Sequence, residues 1–521
     1  MKEILIIGSG ISGLTCAISL AEMGHRVTLA SPFPSERAQS VMAAGGINAA
    51  LDTKGEQDSV ACHVADTLKG GCYIASPTAV QGLCAEAPAI LRWLETLGTV
   101  FTRDANNRID LRAFGGQTHR RTAYAGASTG KQIVTALVHE ARKYECDGLI
   151  ERRLGLHFHS GLIRDGHCYG ALMYDEVKRV FEPIFADAVV MATGGQNALF
   201  GKTTGSTLCD GYAAGKLMTQ GVTLKNLEFI QYHPTAIETP QKRMLITEGA
   251  RGEGGRLYYL DGDQRVYFME DKFGPRGNLM PRDVVAKCIY DVPTQVYLDV
   301  ANLGADVIHG KLSEVDELCR RYLNLDVTKA DIPVYPSVHY FMGGIAVDNH
   351  HRTNIESLYA IGECAAIYHG ANRLGGNSLL GAIYSGKVAA GTIDTERVED
   401  AASKSPFSAV YIRRDVARVM NECLGITRTE DKLLAGIEDI DHAIGVCEKI
   451  RFDSSVSPYQ SYALKGLLPL ARAVLTCALH RQESRGAHIR EDYPETSDRF
   501  LCATIMRYNN GRYDVEFVKE V

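Results

Sequence analysis

The 521-residue chain exceeds the size that one hydrophobic core usually serves, so the sequence predicts two or three domains. Its formal net charge of −6 argues against nucleic acid or acidic lipid as the main partner. No apolar run approaches the roughly 20 residues of a membrane-spanning helix, and the first apolar residues lead straight into glycines, so we expect no membrane span, no signal peptide and a cytoplasmic location.

The first elements predict a βαβ unit that binds a dinucleotide. An apolar strand over 4–7 leads into Gly8-x-Gly10-x-x-Gly13, then a helix over 14–23 and a second strand over 27–30. Glycines there let the backbone approach a pyrophosphate at the positive end of the helix. Ser31 stands where NAD-binding proteins usually carry an acidic residue, which weakens an NAD reading but leaves FAD open.

Two later strands predict that the nucleotide domain is split. Apolar runs over 188–192 and 357–361 end in small residues, as expected where a sheet meets a cofactor. We therefore predict an α/β Rossmann-like domain over 1–225 and 345–395, interrupted by an inserted α+β capping domain over 226–344. Helical periodicity over 409–424 and 464–481 predicts a helical C-terminal domain over 400–521.

Besides the glycine fingerprint, the chain carries a series of ordered motifs: Ala44-Gly45-Gly46-Ile47, Phe114-Gly115-Gly116, His233-Pro234-Thr235, Thr247-Glu248-Gly249-Ala250-Arg251, Pro281-Arg282-Asp283, His339-Tyr340-Phe341-Met342-Gly343-Gly344, Gly362-Glu363, Arg373-Leu374-Gly375-Gly376-Asn377-Ser378-Leu379 and Glu483-Ser484-Arg485-Gly486. These motifs, which span nearly the whole chain, resemble the flavoprotein family of succinate dehydrogenases, fumarate reductases and L-aspartate oxidases. The resemblance implies FAD as the cofactor and hydride exchange with a C4 dicarboxylate.

For the flavin, the resemblance implies a set of binding residues: Gly8, Gly10, Ser12, Gly13, Ser31, Gly45, Gly46, Asp210, Glu363, Ser378 and Leu379. Glu363 would accept hydrogen bonds from ribityl or ribose hydroxyls, and the Ser378-Leu379 backbone would face the flavin ring. Asp210 follows Leu208-Cys209, whereas the family usually has Thr-Gly before this aspartate, so the chain departs from the family pattern here.

For the substrate, Arg373, His233, His339 and Thr247 are the expected carboxylate ligands. A guanidinium suits this task because its planar fork matches a carboxylate. The resemblance makes Arg282 the proton donor and acceptor, with Glu248 and Arg251 as a relay to solvent. The alternatives are that Arg282 pairs with Asp283 or only binds substrate, and that Glu248 and Arg251 form a structural ion pair.

Two departures from the family pattern bear on function. Gln39 stands where respiratory members attach FAD to a histidine, which predicts noncovalent FAD and favours fumarate reduction. Aspartate oxidases also lack this histidine, so its absence does not separate the two branches. Phe114 stands where aspartate oxidases carry a glutamate for the substrate ammonium, so it favours fumarate or succinate. The alternative for Phe114 is a core aromatic away from the site.

The cysteine spacing predicts no metal site and no iron–sulfur cluster within this chain. None of the 14 cysteines stands in a Cys-x-x-Cys pair. We therefore expect a separate iron–sulfur subunit, through which the chain reaches the inner face of a membrane; a soluble reductant is the alternative.

The competing functions are an L-aspartate oxidase, a reductase of another enoate, and a non-catalytic FAD-binding protein.

Overall fold

The computed structural model describes residues 1–126, 128–395, 413–449, 458–509 and 511–519. Residues 1–225 contribute the elements β1 (Glu3–Ile7), α1 (Ile11–Glu22), β2 (Arg26–Ser31), β3 (Ile47–Asn48), α2 (Val60–Gly70), α3 (Pro77–Thr96), β4 (Leu111–Arg112), β5 (Thr122–Ala123), α4 (Thr129–Cys146), β6 (Ile150–Leu154), β7 (Leu156–Arg164), β8 (His167–Asp175), β9 (Val180–Phe185), β10 (Ala188–Met191), α5 (Tyr212–Met218) and β11 (Leu224–Lys225).

The capping segment, residues 226–344, follows with β12 (Ile230–Glu238), β13 (Arg243–Leu245), α6 (Gly249–Gly252), β14 (Arg256–Asp261), β15 (Gln264–Val266), α7 (Phe268–Phe273), α8 (Arg282–Asp291), β16 (Val296–Asp299), α9 (Ala305–Lys311), α10 (Ser313–Leu323) and β17 (Ile332–Phe341). The chain then forms β18 (Gly344–Ala346), β19 (Leu358–Ala360), β20 (Ala365–Ala366) and α11 (Asn377–Thr395). The C-terminal part holds α12 (Arg413–Cys423), β21 (Thr427–Arg428), α13 (Glu430–Lys449), α14 (Pro458–His480), β22 (Ile489–Arg490), β23 (Ala503–Asn509) and β24 (Arg512–Val518).

A parallel five-stranded sheet of order β19-β10-β1-β2-β6 forms the centre of the first region. The apolar run Ile4–Ile7 is buried throughout, as expected for a strand covered on both faces. Its carboxyl edge brings Gly8, Ala192 and Ile361 together. The expected Rossmann-like α/β fold is confirmed.

The capping segment has its own sheet and core. Its strands run in the order β13-β12-β17-β16-β14-β15, and α8 packs on β12. An apolar cluster that includes Leu257, Val285 and Leu298 lies between this sheet and the helices. This arrangement places the start of α8 and the middle of β12 towards the parallel sheet.

The C-terminal part is helical but also ends in a β-hairpin that the sequence did not predict. β23 and β24 extend a sheet that includes β11, β18 and β20. The helix expected over 409–424 is described from Arg413, since 409–412 lie outside the described residues. Within the described residues, Ala463–His480 is long and apolar enough to cross a membrane, but 72% of it is buried, as in a core helix.

Candidate active site

The glycine fingerprint forms a tight turn between β1 and α1. Gly8 has φ +113°, and a Cβ there would lie 2.2 Å from the carbonyl oxygen of Ala192. A Cβ at Gly13 would lie 1.9 Å from the carbonyl oxygen of Gly8. Only glycine fits both positions, and the turn leaves the N-terminus of α1 facing open space, as a pyrophosphate requires.

One cavity of about 500 Å³ contains almost all the residues expected to bind cofactor and substrate. From the cofactor set it is lined by Gly8, Gly10, Ser12, Ser31, Gly45, Gly46, Asp210, Glu363, Ser378 and Leu379. From the substrate and catalytic set it is lined by Phe114, His233, Thr247, Glu248, Arg282, His339 and Arg373. The two expected residues that do not line the cavity are Gly13, which packs against the Gly8 carbonyl, and Arg251, which contacts Glu248.

The cofactor end of the cavity offers hydrogen-bonding groups suited to a nucleotide. The Glu363 carboxylate accepts a hydrogen bond from the Phe341 amide at 3.1 Å, and burial raises its pKa to about 7. Asp210 accepts from the Tyr212 amide at 2.9 Å. The Ser31 hydroxyl donates to the Phe33 carbonyl at 2.7 Å. Together with the glycine turn, these groups fit a dinucleotide.

Arg282 forms an ion pair with Glu248 and not with Asp283. Its Nε and Nη2 donate to Glu248 Oε2 at 2.8 and 2.6 Å. Arg251 Nη2 lies 3.4 Å from Glu248 Oε1, so the carboxylate bridges two guanidinium groups. All three side chains are at least 94% buried. Asp283 instead accepts from the Asn372 amide at 2.6 Å.

Arg373 brings a further positive charge to the same cavity. It makes no ion pair within the described residues, and its Nε is buried without a hydrogen-bond partner there. Burial, with a smaller contribution from Arg282, lowers the pKa of Arg373 to about 9. Its guanidinium stacks on the Tyr340 ring at 4.2 Å. Arg251, Arg282 and Arg373 against Glu248 leave a surplus of two positive charges.

Gln231 accepts hydrogen bonds from both cavity arginines and was not among the residues predicted from the sequence. Its Oε1 accepts from Arg282 Nη1 at 3.1 Å and from Arg373 Nη2 at 3.0 Å. Its Nε2 donates to the Asn372 side chain and to the Arg373 carbonyl, both at 2.7 Å. Gln231 precedes His233 by two residues on β12, and this strand spacing was a usable signal.

His233 and His339 both line the cavity, and their rings contact each other edge to face with centroids 5.1 Å apart. Nδ1 of His233 lies 3.1–3.2 Å from backbone atoms of Thr235, and Nδ1 of His339 lies 2.9 Å from the Thr204 hydroxyl. Burial and then the charge of Arg282 hold the pKa of both rings well below the ordinary histidine range. Both rings are therefore neutral at pH 7.

Phe114 is a buried residue that packs between the two ends of the cavity. Its side chain is 2% exposed, and a Cβ added at Gly45 would lie 3.1 Å from its ring. Thr247 lies nearby and accepts from the Gly249 amide at 3.2 Å. Phe114 is therefore part of the cavity wall and not a distant core aromatic.

Glu314 at the start of α10 also lines the cavity, and the sequence analysis missed it. Its Oε1 is buried without a hydrogen-bond partner among the described residues, and burial raises its pKa to about 6. No motif signals this position, because only the packing of α10 brings it to the cavity.

Comparison with known proteins agrees with this architecture. Residues 3–379 match a family described as an FAD binding domain, and residues 413–520 match the fumarate reductase flavoprotein C-terminal family. A succinate dehydrogenase flavoprotein subunit of Bacillus subtilis is 36% identical, over 98% of this chain and 95% of that protein. An E. coli quinol fumarate reductase structure superposes with a TM-score of 0.88 at 28% identity, covering 99% of this chain and 96% of that chain.

The related oxidase branch is also recognisable. An L-aspartate oxidase of Yersinia pestis is 32% identical, over 95% of this chain and 96% of that protein. The family matches cover most of the chain, and their residues form the glycine turn and the cavity described above. The chain therefore belongs to the succinate dehydrogenase/fumarate reductase flavoprotein family and is an FAD-dependent oxidoreductase of that type.

Proposed function

We propose that this flavoprotein reduces fumarate to succinate, or runs the reverse reaction, with Arg282 as the proton donor and acceptor. The observation that carries the proposal is the surplus of two positive charges in the group formed by Arg251, Arg282, Arg373 and Glu248, in which Arg373 has no ion-pair partner among the described residues. A C4 dicarboxylate supplies two negative charges, so its binding would neutralise this surplus.

In this proposal, Arg373, His233, His339 and Thr247 hold the two carboxylates. Nδ1 of His233 is engaged with the Thr235 backbone, at 3.1 Å from its carbonyl oxygen and 3.2 Å from its amide nitrogen. The ring nitrogen left for a substrate carboxylate is therefore Nε2. Because these donors are already in place, they stabilise charge that builds on a carboxylate during the reaction.

Bound FAD supplies the hydride chemistry, exchanging a hydride with one carbon of the central C–C bond. Arg282 gives a proton to the neighbouring carbon in reduction and removes it in oxidation. Glu248 contacts both Arg282 and Arg251, so we propose that a proton returns to Arg282 through Glu248 from Arg251. Burial lowers the pKa of Arg251, which makes loss of its proton less costly.

We propose that FAD is held without a covalent bond. Gln39 lines the cavity where the respiratory members have their attachment histidine, and an amide cannot make that bond. The fingerprint turn, Glu363, Asp210 and the start of α11 would hold the cofactor. Acid precipitation should therefore release the yellow cofactor into the supernatant, whereas a yellow pellet contradicts the proposal.

L-Aspartate oxidation is the second candidate, and Glu314 is the observation that favours it. A cavity-lining carboxylate whose Oε1 has no hydrogen-bond partner in the described residues can meet a substrate ammonium. Phe114 argues for the lead function because its ring offers no negative charge to an amino group. An apolar wall suits the middle of fumarate or succinate.

One assay separates the two candidates. Photoreduced protein is mixed with fumarate, and oxidised protein with succinate or L-aspartate, while flavin absorbance is followed. We expect rapid reoxidation by fumarate and no bleaching by L-aspartate. Rapid bleaching by L-aspartate that disappears in Glu314→Gln would replace the lead function with the oxidase.

We further propose that electrons reach the flavin from a separate iron–sulfur subunit, which also brings the chain to a membrane surface. The 14 cysteines lack cluster spacing, and among the described residues no group of cysteines lies close enough to hold a cluster. Copurification of a tagged chain from its own cells, followed by iron and acid-labile sulfide analysis, tests this proposal. Recovery of active protein without iron would favour a soluble reductant.

A further inference from the structure

We propose that Asp58, Cys62 and His119 form a binding site for a thiophilic divalent metal ion, with Zn²⁺ as the best match. The site lies outside the catalytic cavity, where the start of α2 meets the loop between β4 and β5. One ligand atom from each of the three residues lies within 4.8 Å of the other two. The sequence gives no hint of it, since His119 is 57 residues beyond Cys62 and completes no known metal motif.

The donor set selects the metal. A thiolate, an imidazole and a carboxylate are ligands typical of zinc, whereas Mg²⁺ and Ca²⁺ take oxygen ligands almost exclusively. Bond lengths of about 2.0–2.3 Å place zinc ligands roughly 3.3–3.7 Å apart. Asp58 Oδ1 already lies 3.7 Å from His119 Nδ1, and the Cys62 thiol is within 4.8 Å of a ligand atom of each of the other two residues. Solvent can supply the fourth ligand because His119 is 24% exposed.

The charge around the site favours a cation. Asp58 is 1% exposed and accepts two hydrogen bonds from Arg121, at 3.1 and 2.9 Å. The same guanidinium lies 2.9 Å from Asp66 Oδ2, so two buried carboxylates share one positive charge. The surplus negative charge would be neutralised by a bound metal. Replacing the thiol proton by zinc releases one proton to solvent.

Local contacts prepare the thiol for metal binding. The Ser59 hydroxyl caps α2 and donates to Cys62 Sγ at 3.2 Å, and Cys62 lies in the first turn of the helix, where the dipole stabilises a thiolate. The Thr118 hydroxyl donates to Asp66 and lies 2.8 Å from His119 Nδ1, so a metal bound at Nδ1 takes the place of the Thr118–His119 contact.

The test uses the full chain with FAD, freed of metal by a chelator. Zn²⁺ is titrated against a chromophoric chelator, and Co²⁺ serves as a spectroscopic reporter of sulfur ligation. We expect one tight site per chain, weakened at least ~10-fold in Cys62→Ser and in His119→Asn. Cys146→Ser, which changes an exposed cysteine at the end of α4, is the matched control and should bind as the wild type does.

A second measurement needs no variant. Zn²⁺ should slow alkylation of Cys62 at least ~10-fold, as followed by peptide mass spectrometry, and leave Cys146 unprotected. The proposal is wrong if Cys62 reacts equally fast with and without Zn²⁺. It is also wrong if Zn²⁺ binding and the cobalt–sulfur absorption band are the same in folded Cys62→Ser as in the wild type.

Discussion

Arg282 occupies a position whose contacts a lysine cannot reproduce. Its guanidinium contacts Glu248 through two nitrogens and Gln231 through the third. A lysine ammonium is a single point of charge at the end of a flexible chain. The position of Arg282 in the cavity wall therefore depends on the planar fork.

Arg282→Lys is expected to lower kcat for fumarate reduction at least ~100-fold, because a misplaced acid loses the general-acid contribution. FAD content, measured by absorbance, should stay unchanged. Arg321→Lys is the control, since Arg321 is 63% exposed on α10 and pairs only with Glu317 in the described structure. If Arg282→Lys keeps most of its activity, the proton-donor role is wrong.

The buried carboxyl group of Asp283 should make the stability of the protein depend on pH. Burial raises its pKa from 3.8 to about 6, so the folded state binds a proton more tightly than the unfolded chain. The free energy of unfolding should therefore fall as the pH rises from about 4 to about 6. Above pH 6 the contribution of Asp283 should no longer change with pH.

Asp283→Asn should remove this slope, because the amide is neutral at every pH and its oxygen can still accept from Asn372. Denaturant unfolding at several pH values measures the difference between variant and wild type. Equal slopes between pH 4 and 6 in both proteins would show that Asp283 is not the titrating group.

The loop before α11 links the substrate and cofactor ends of the cavity. The Gly375 carbonyl accepts from Asn48 at 2.7 Å and from Gln117 at 3.0 Å, so this backbone cannot move aside. A Cβ at Gly375 would lie 2.8 Å from Glu248 Oε2, 2.9 Å from the Phe114 ring and 3.2 Å from Arg282 Nη2.

Gly375→Ala is therefore expected to displace the Arg282–Glu248 pair and lower kcat by about 100-fold, as misplacement of reacting groups by about 1 Å does. Gly391→Ala is the matched control on α11, because a Cβ there meets nothing within 4 Å. That variant should keep full activity and gain about 0.5–1 kcal/mol of stability. Equal activity of the two variants would contradict this account of the loop.

The sequence predicted the elements that carry a local pattern and missed those that depend on packing. The strands over 4–7, 27–30 and 188–192 are continuous apolar runs, and each is a strand within one or two residues of the prediction. Gln231 and Glu314 were missed because their roles depend on where β12 and α10 pack. In the C-terminal hairpin, β24 alternates strictly between exposed and half-buried residues, a strand signal that the prediction of a helical domain overlooked, whereas β23 alternates only weakly.

At the scale of the whole molecule, the C-terminal part is joined to the parallel sheet by a shared core. One apolar cluster combines Leu5 and Val189 of that sheet with Leu217 of α5 and Leu467 of α14. β23 pairs with β11 in a sheet that also contains β18. The sequence predicted a helical C-terminal domain over 400–521, and propensity and periodicity carry no information about such long-range pairing. We therefore expect the two parts to unfold together.

Arg481 tests this coupling, because its fully buried side chain joins the C-terminal part to Glu228, close to the point where the chain leaves β11 for the capping segment. It donates to Glu228 at 2.7 Å, to Glu483 at 2.9 Å and to the carbonyls of Phe500 and Cys502 at 2.7 Å. Arg481→Met leaves two buried carboxylates without this cation, so the free energy of unfolding should fall by about 3–5 kcal/mol.

Arg507→Met is the control, since that arginine is 56% exposed and pairs with Glu516 on the hairpin surface; its effect should stay within about 0.5 kcal/mol. Unfolding is followed by far-ultraviolet circular dichroism for the helices and by flavin fluorescence for the cofactor domain. If the two parts form one cooperative unit, Arg481→Met shifts both transitions to lower denaturant by the same amount. A shift of the helical signal alone, with the flavin signal unchanged, would show that the C-terminal part unfolds independently of the domain that binds FAD.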